Sequence, residues 1–398
     1  MAGIDRRQAL KLLGGLGAAS LVSACGGNGA GSPEPAAHAT HARVGLLVPG
    51  TGGYKQIGDD ILNGVNCYLR TTGNRLGGHP VVIELVDEGD NPETALAALE
   101  DLLAREVHAV VGVANPAAMM PVAERMEEEF VPLLGANASP EALQGAPYVW
   151  RTSYVHNEPG LALGQHLAGS VTGQVAIIAQ EGPAGTDAVL GLREAFLEAG
   201  ATDLLAEPIY TALASQPGSD FFAQPLRQVR DLEPEAVFCC YLGDAAAAFV
   251  QQYVAAGLDP DMLYAPAYLT EGAALADAGE AALGIRTAGN YAPELRTPAN
   301  RGFVTAYQRD FGEPPTVYSV AAYDAAAAID KALALSEGDL APQHINTNLA
   351  RVGLIDSPRG RWQFNQGRTP TQKWYLRQVG YDGPVLSNLV LRELGTFG

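Results

Sequence analysis

Asn115, Pro116, Ala117 and Ala118 come one residue after the apolar run Ala109–Val113, and that order has a chemical meaning. Asn is a strong helix N-cap, and proline fits the first helical position. The Ala117 and Ala118 amides are then expected to be free, and such a helix terminus can receive an anion. A second loop, Gly50-Thr51-Gly52-Gly53, follows Val44–Val48. It lacks the G-x-G-x-x-G spacing of a dinucleotide site and reads instead as the wall of a cleft. No serine sits in a G-x-S-x-G elbow. His79, His108, His156, His166 and His344 are scattered without metal-ligand spacing. Asp87-Glu88 ends a strand, yet nothing near it in sequence completes an acid/base pair. Cys67, Cys239 and Cys240 read as three buried, unpaired thiols, since neighbours on a strand point to opposite faces. A hydrolase needs a nucleophile or a metal and the sequence offers neither. The expectation is a binding protein with no cofactor and no metal.

Those loops need a scaffold, and the apolar patterning supplies one. Val44–Val48, Val81–Val86, Ala109–Val113 and Val131–Leu134 are predicted strands. Between them Ile57–Arg70, the segment capped by Asn91 and Pro92, and Pro116–Phe130 are predicted helices. In the second of these Ala95, Leu99, Leu102 and Leu103 make a one-sided apolar stripe. Repeated βαβ units imply a parallel sheet with helices on both faces. The rhythm restarts after Tyr154, with strands at Val175–Ala179, Ala236–Leu242 and Met262–Ala265 and helices at Asp187–Ala199 and Asp244–Ala256. Asn300–Phe311 and Val320–Leu335 read as helices. Arg361–Asn365 and Lys373–Val379 read as a two-stranded ribbon. The fold class is therefore α/β with two Rossmann-like units.

The 398 residues and 47% apolar content suit two domains. A formal net charge of −19 disfavours nucleic acid, which needs clustered Lys and Arg. The front of the chain has a basic cluster around Arg6-Arg7, a short Gly/Ala-rich apolar stretch from Leu12 to Val22, and then Val22-Ser23-Ala24-Cys25. That is the layout of an export signal, and its apolar middle is too short to span a bilayer. Paired arginines resemble the twin-arginine signal. The four residues ending at Cys25 resemble a lipobox, which implies cleavage after residue 24 and acylation of Cys25. Residues 25–41 are poor in large apolar side chains and read as a flexible leash. His38 and His41 on it read as solvated.

The order of motifs across Val44–Val379 resembles the leucine/isoleucine/valine-binding type of periplasmic substrate-binding protein, which serves ABC importers. The pieces that carry the resemblance are Pro49-Gly50-Thr51-Gly52, Asn63-Gly64-Val65, Gly77-Gly78-His79-Pro80 and Asn91-Pro92-Glu93-Thr94-Ala95. Ser139-Pro140-Glu141-Ala142-Leu143, Trp150-Arg151-Thr152, Ala322-Tyr323-Asp324-Ala325 and Gly360-Arg361-Trp362-Gln363-Phe364 continue it. The resemblance implies a type I periplasmic binding fold: two lobes with parallel central sheets joined by a three-strand hinge, clasping a ligand. It places one lobe at 42–155 plus about 298–348, and the other at about 156–297 plus 349–398. It also implies an ABC permease as partner; with the lipobox at Cys25, the expectation is a monomer anchored by lipid to the outer face of the cell membrane. A lipoprotein sensor or cell-wall regulator on the same fold is the alternative reading.

Ligands of open α/β sheets sit beyond the carboxyl ends of the strands. The residues expected there are Tyr54, Asn115, Ala117, Ala136, Asn137, Gln180, Glu181, Tyr241, Asp244, Tyr268 and Tyr291. The resemblance implies a hydroxyl near Ala117, a threonine near Ala138, a tyrosine near Ala184 and an acid near Ala267 for an α-amino acid ligand. All four are alanine here. The remaining rings and amides suit a small polar or aromatic molecule other than leucine.

Overall fold

Apolar runs bounded by turn residues become strands in the computed structural model, which describes residues 40–398 apart from Ala138 and Ser215. The export signal, Cys25, most of the leash with His38, and Ala138 lie outside the described residues. The first sheet holds β1 (Ala42–Val48), β2 (Arg75–Leu76), β3 (His79–Asp87), β4 (Ala109–Gly112), β5 (Leu133–Gly135) and β6 (Val149–Arg151). Their order is β2-β3-β1-β4-β5-β6, all parallel except the short β2 against β3. The second sheet holds β7 (Val175–Gln180), β8 (Ile209–Thr211), β9 (Ala236–Cys240), β10 (Leu263–Pro266) and β11 (Arg286–Gly289) in parallel. Every residue of β4, β7 and β9 is buried, as expected of parallel strands covered on both faces. Cys67, Cys239 and Cys240 are free and buried. Cys239 and Cys240 fall in different core clusters, one on each face of β9.

The C-terminal ribbon differs from the sequence expectation. β12 is only Gln363–Phe364, paired with Thr371 and Pro370. The long partner of β13 (Pro370–Asp382) is β14 (Val385–Phe397), and β13 also lies antiparallel on β11. The second sheet is thus mixed at this edge. β14 alternates weakly and is mostly half-buried, with Asn388 as its one buried residue, so it carries little apolar signal. Four helices also begin earlier than expected, Lys55–Thr71, Pro183–Glu198, Pro298–Phe311 and Val317–Ala334; the second starts on its proline, and the last is capped by Thr316 with Ser319 completing a capping box. Helix Glu158–Ala168, unassigned by the patterning, packs against Pro183–Glu198.

Helix Val317–Ala334 lies on helix Lys55–Thr71 with almost no side chain between them. A Cβ at Gly64 would stand 2.1 Å from the Ser319 carbonyl oxygen. The Ala325–Ala328 run behind this contact is fully buried.

Three segments of chain pass between the sheets: residues 152–157, 290–297 and the stretch leading to β13. They meet at one atom. The Ser153 carbonyl accepts from Asn290 Nδ2 at 3.4 Å, Arg359 Nη1 at 3.4 Å and Gln372 Nε2 at 2.7 Å. Side chains thus tie the crossings together where no sheet ladder can.

Candidate functional site

The lobes touch where Gly243 (φ +64°) meets the Gly53–Tyr54 loop; a Cβ on it would stand 2.8 Å from the Gly53 oxygen. Two further bonds cross the cleft: Glu141 N donates to Asp187 Oδ2 at 2.9 Å and Val317 N to Glu271 Oε1 at 3.0 Å. Residues of both lobes enclose two cavities. The first, partly open to solvent, lies between Gln56, Asp60 and Tyr318 on one side and Asp244, Tyr268, Glu271 and Asp277 on the other. The second, smaller, lies between Tyr54, Asn115 and Ala117 and the loop Gln180–Ala184.

Strand ends aim these residues. β4 ends at Gly112, and Val113 then takes φ +58°, which a β-branched residue seldom adopts. This bend delivers Asn115 to the cleft as the cap of helix Pro116–Glu129. The terminus does not offer the free amides expected from sequence. Ala117 N donates to Asn115 Oδ1 at 3.0 Å, and Ala118 N to the Asn115 carbonyl at 3.1 Å. The amides of Ala114 and Asn115 each donate to Glu88 at 2.8 Å. The chain's own groups fill this anion site. Burial pushes the Glu88 carboxyl up to about 8, against the pull of those two amides.

Among the expected residues, Tyr54, Asn115, Ala117, Gln180 and Glu181 line one cavity, and Asp244 and Tyr268 the other. Ala136 and Asn137 are buried and line neither; Asn137 Nδ2 donates to the Ala114 carbonyl at 2.7 Å. Tyr241 is held in the second lobe's core, 3.1 Å from Thr211 Oγ1 and stacked on Phe249. Tyr291 donates to Asn300 Oδ1 at 2.9 Å, away from both cavities.

Sequence reasoning missed Asp60, Glu271, Asp277 and Tyr318. Asp60 did have a local signal. It shares the buried face of its helix with Ile57, Ile61 and Gly64, where a charge has no ordinary place. Burial pushes its carboxyl up to about 8, the Thr316 hydroxyl at 3.0 Å opposing and Glu271 adding to the shift. Glu271 is also raised by burial but is held by Arg377 at 3.0 Å. Burial first, then Glu88, Asp244 and Asp90, push the Tyr54 hydroxyl up to about 12. No lysine or arginine lines either cavity.

The Asp60 shift has a measurable sign. Its folded pKa lies above the ordinary carboxylate value, so the folded chain holds the proton that the unfolded chain loses. Stability from this group is full below about pH 4 and is lost as pH rises toward 8, at up to about 1.4 kcal/mol per pH unit. Asp60→Asn keeps the shape of the protonated acid and removes the titration. Urea unfolding is expected to show a flatter pH profile for the variant, more stable than wild type by about 2 kcal/mol or more at pH 8.5. Parallel profiles would show that Asp60 is ionised throughout.

Residues 41–384 match the family of periplasmic binding proteins. The chain belongs to that family. Its members are solute-binding proteins associated with ABC transporters, not enzymes, and they work outside the cytoplasm. The binding protein is 28% identical over 354 residues to the Leu/Ile/Val-binding protein homolog 6 of Brucella suis biovar 1 (strain 1330), covering 86% of this chain and 89% of the relative. A solute-binding protein of an ABC transporter from R. palustris, solved in complex with benzoate, is similar at a TM-score of 0.81 and 26% identity, covering 90% of this chain and 97% of that one. Another from R. palustris, in complex with 4-hydroxybenzoate, has a TM-score of 0.81 at 25% identity over 89% of this chain and 97% of that one. Among the described residues of the binding protein, no helix is long and apolar enough to cross a membrane.

Proposed function

We propose that this protein captures a small ring-bearing or polar solute between its lobes and delivers it to the permease of an ABC importer. The observation that carries the reading is the pairing of two facts. Tyrosines from both lobes, Tyr54, Tyr268 and Tyr318, line the cleft cavities. The R. palustris neighbours of like fold hold benzoate and 4-hydroxybenzoate. Rings stack on or pack edgewise against tyrosine, and amides such as Gln180 and Asn115 orient the polar substituent. The alanines at 117, 184 and 267 leave plain leucine without the contacts that would hold its α-amino acid end. In this reading the lobes are 42–155 plus about 298–348 and about 156–297 plus 349–398. The chain acts as a monomer, exported by the twin-arginine route and anchored by lipid on Cys25.

A thermal-shift screen of the full chain tests the solute class. Benzene-ring compounds and leucine are compared at matched concentration. A bound ligand at 100 times its dissociation constant adds about 2.7 kcal/mol. At least one ring compound is expected to raise the melting temperature and leucine is not. Stabilisation by leucine alone would overturn the reading.

A further inference from the structure

The first cavity is acidic without being a metal site. Asp60 and Glu271 are buried in its lining, while Asp244 and Asp277 stand exposed at its edge. Among the described residues, no three His, Cys, Asp or Glu side chains are placed to hold a metal ion. Glu271 is already neutralised by Arg377 and engaged by Val317 N. Neither Asp244 nor Asp277 forms an ion pair with any described residue.

A separate feature points into the same space. Tyr318 is 4% exposed and lines the cavity, yet its hydroxyl has no hydrogen-bond partner among the described residues. Buried polar groups are nearly always partnered, so an unpartnered one beside a cavity marks where a ligand atom belongs. The Tyr268 hydroxyl is occupied by Cys240 Sγ at 3.1 Å, which leaves its ring for the ligand. At the other cavity the helix terminus that could hold an anion is filled by Glu88 and Asn115.

We infer that the first cavity is an ammonium subsite and that the ligand is a small aromatic amine. Its protonated nitrogen donates to the Tyr318 oxygen beside Asp60. Asp244 and Asp277 at the cavity edge attract it from a greater distance, and the ring lies against the cleft tyrosines. The inference rests on the ring-bearing solute proposed above and adds the charge of that solute. A cation beside Asp60 favours its ionised form and relieves the like-charge crowding of Asp244 by Asp277 and Asp90.

Equilibrium titration of the full chain with benzylamine, benzyl alcohol, benzoate and n-butylamine at low salt separates the possibilities. Benzylamine is expected to bind about tenfold tighter than benzyl alcohol, with benzoate weakest, and added salt should narrow the gap. Asp244→Asn and Asp277→Asn change exposed positions and threaten the fold little. Each should lower the benzylamine-to-benzyl alcohol affinity ratio at least about threefold, as should Tyr318→Phe. Benzoate binding as well as benzylamine, or a ratio unchanged in all three variants, overturns the ammonium subsite and leaves the ring reading standing. Equal binding of n-butylamine and benzylamine supports the subsite and overturns the ring reading. Binding of none of the four overturns both.

Discussion

Replacing Arg377 with methionine is expected to cost about 3–5 kcal/mol of unfolding free energy, because it strands a buried carboxylate. Arg377 is fully buried. Its Nη1 donates to the Tyr291 carbonyl at 2.9 Å, Nε to Thr287 Oγ1 at 3.2 Å, and Nη2 to Glu271 Oε2 at 3.0 Å. Methionine keeps most of the apolar stem but none of the donors. Glu271, 5% exposed, would retain only the Val317 amide. Adding Glu271→Leu to Arg377→Met removes the orphaned charge, so the double variant is expected to recover much of the loss. Denaturant unfolding followed by tryptophan fluorescence reads both numbers. A loss under about 1 kcal/mol for the single variant would mean that water reaches Glu271.

Arg359→Leu is expected to be comparably severe, about 3–5 kcal/mol, and to act on the crossings between the lobes. Asp324 is fully buried, and its Oδ2 accepts from Ser357 Oγ at 2.9 Å, Trp362 Nε1 at 2.8 Å and Arg359 Nη2 at 2.8 Å. Arg359 also donates to the Thr152 carbonyl at 2.6 Å and the Ser153 carbonyl at 3.4 Å. Burial pushes the Asp324 carboxyl up to about 6, with Arg359 opposing the shift. Without the guanidinium that pKa rises further. The folded state then keeps its proton over a wider range, and stability is lost as pH climbs through that range. The deficit of Arg359→Leu is therefore expected to be larger at pH 8 than at pH 5. A deficit independent of pH would assign the cost to lost packing on Trp362, over which Arg359 sits at 5.0 Å.

Both pairs show why part of the site stayed out of reach of sequence reading. Glu271 and Arg377 are 106 positions apart, and Thr316 Oγ1 reaches Asp60 across 256. No local pattern joins residues at such distances. Asp60 was partly legible as a charge on an apolar helix face. Glu271, Asp277 and Tyr318 had no comparable mark. The Asn115 terminus misled for a related reason. Its cap and proline were legible, but Asn115 itself takes the Ala117 and Ala118 amides, and the amides of Ala114 and Asn115 before them go to Glu88 at the end of another strand. Tyr241 and Tyr291 were legible as aromatic residues after strands, while their turn into the interior depended on Thr211, Phe249 and Asn300.

The amino-acid order alone determined the α/β class, most strand and helix cores, the Asn91 and Asn115 caps, and a binder's chemistry rather than a catalyst's. Those properties rest on periodicity and capping, which act between residues a few positions apart. The tertiary structure decided which carboxylates share a cavity, which amides are spent inside the chain, and that β13 pairs with β14 at the sheet edge. Each of these depends on segments brought together only when the two sheets and their crossing strands close around a common core, where burial makes every unpaired charge or donor costly.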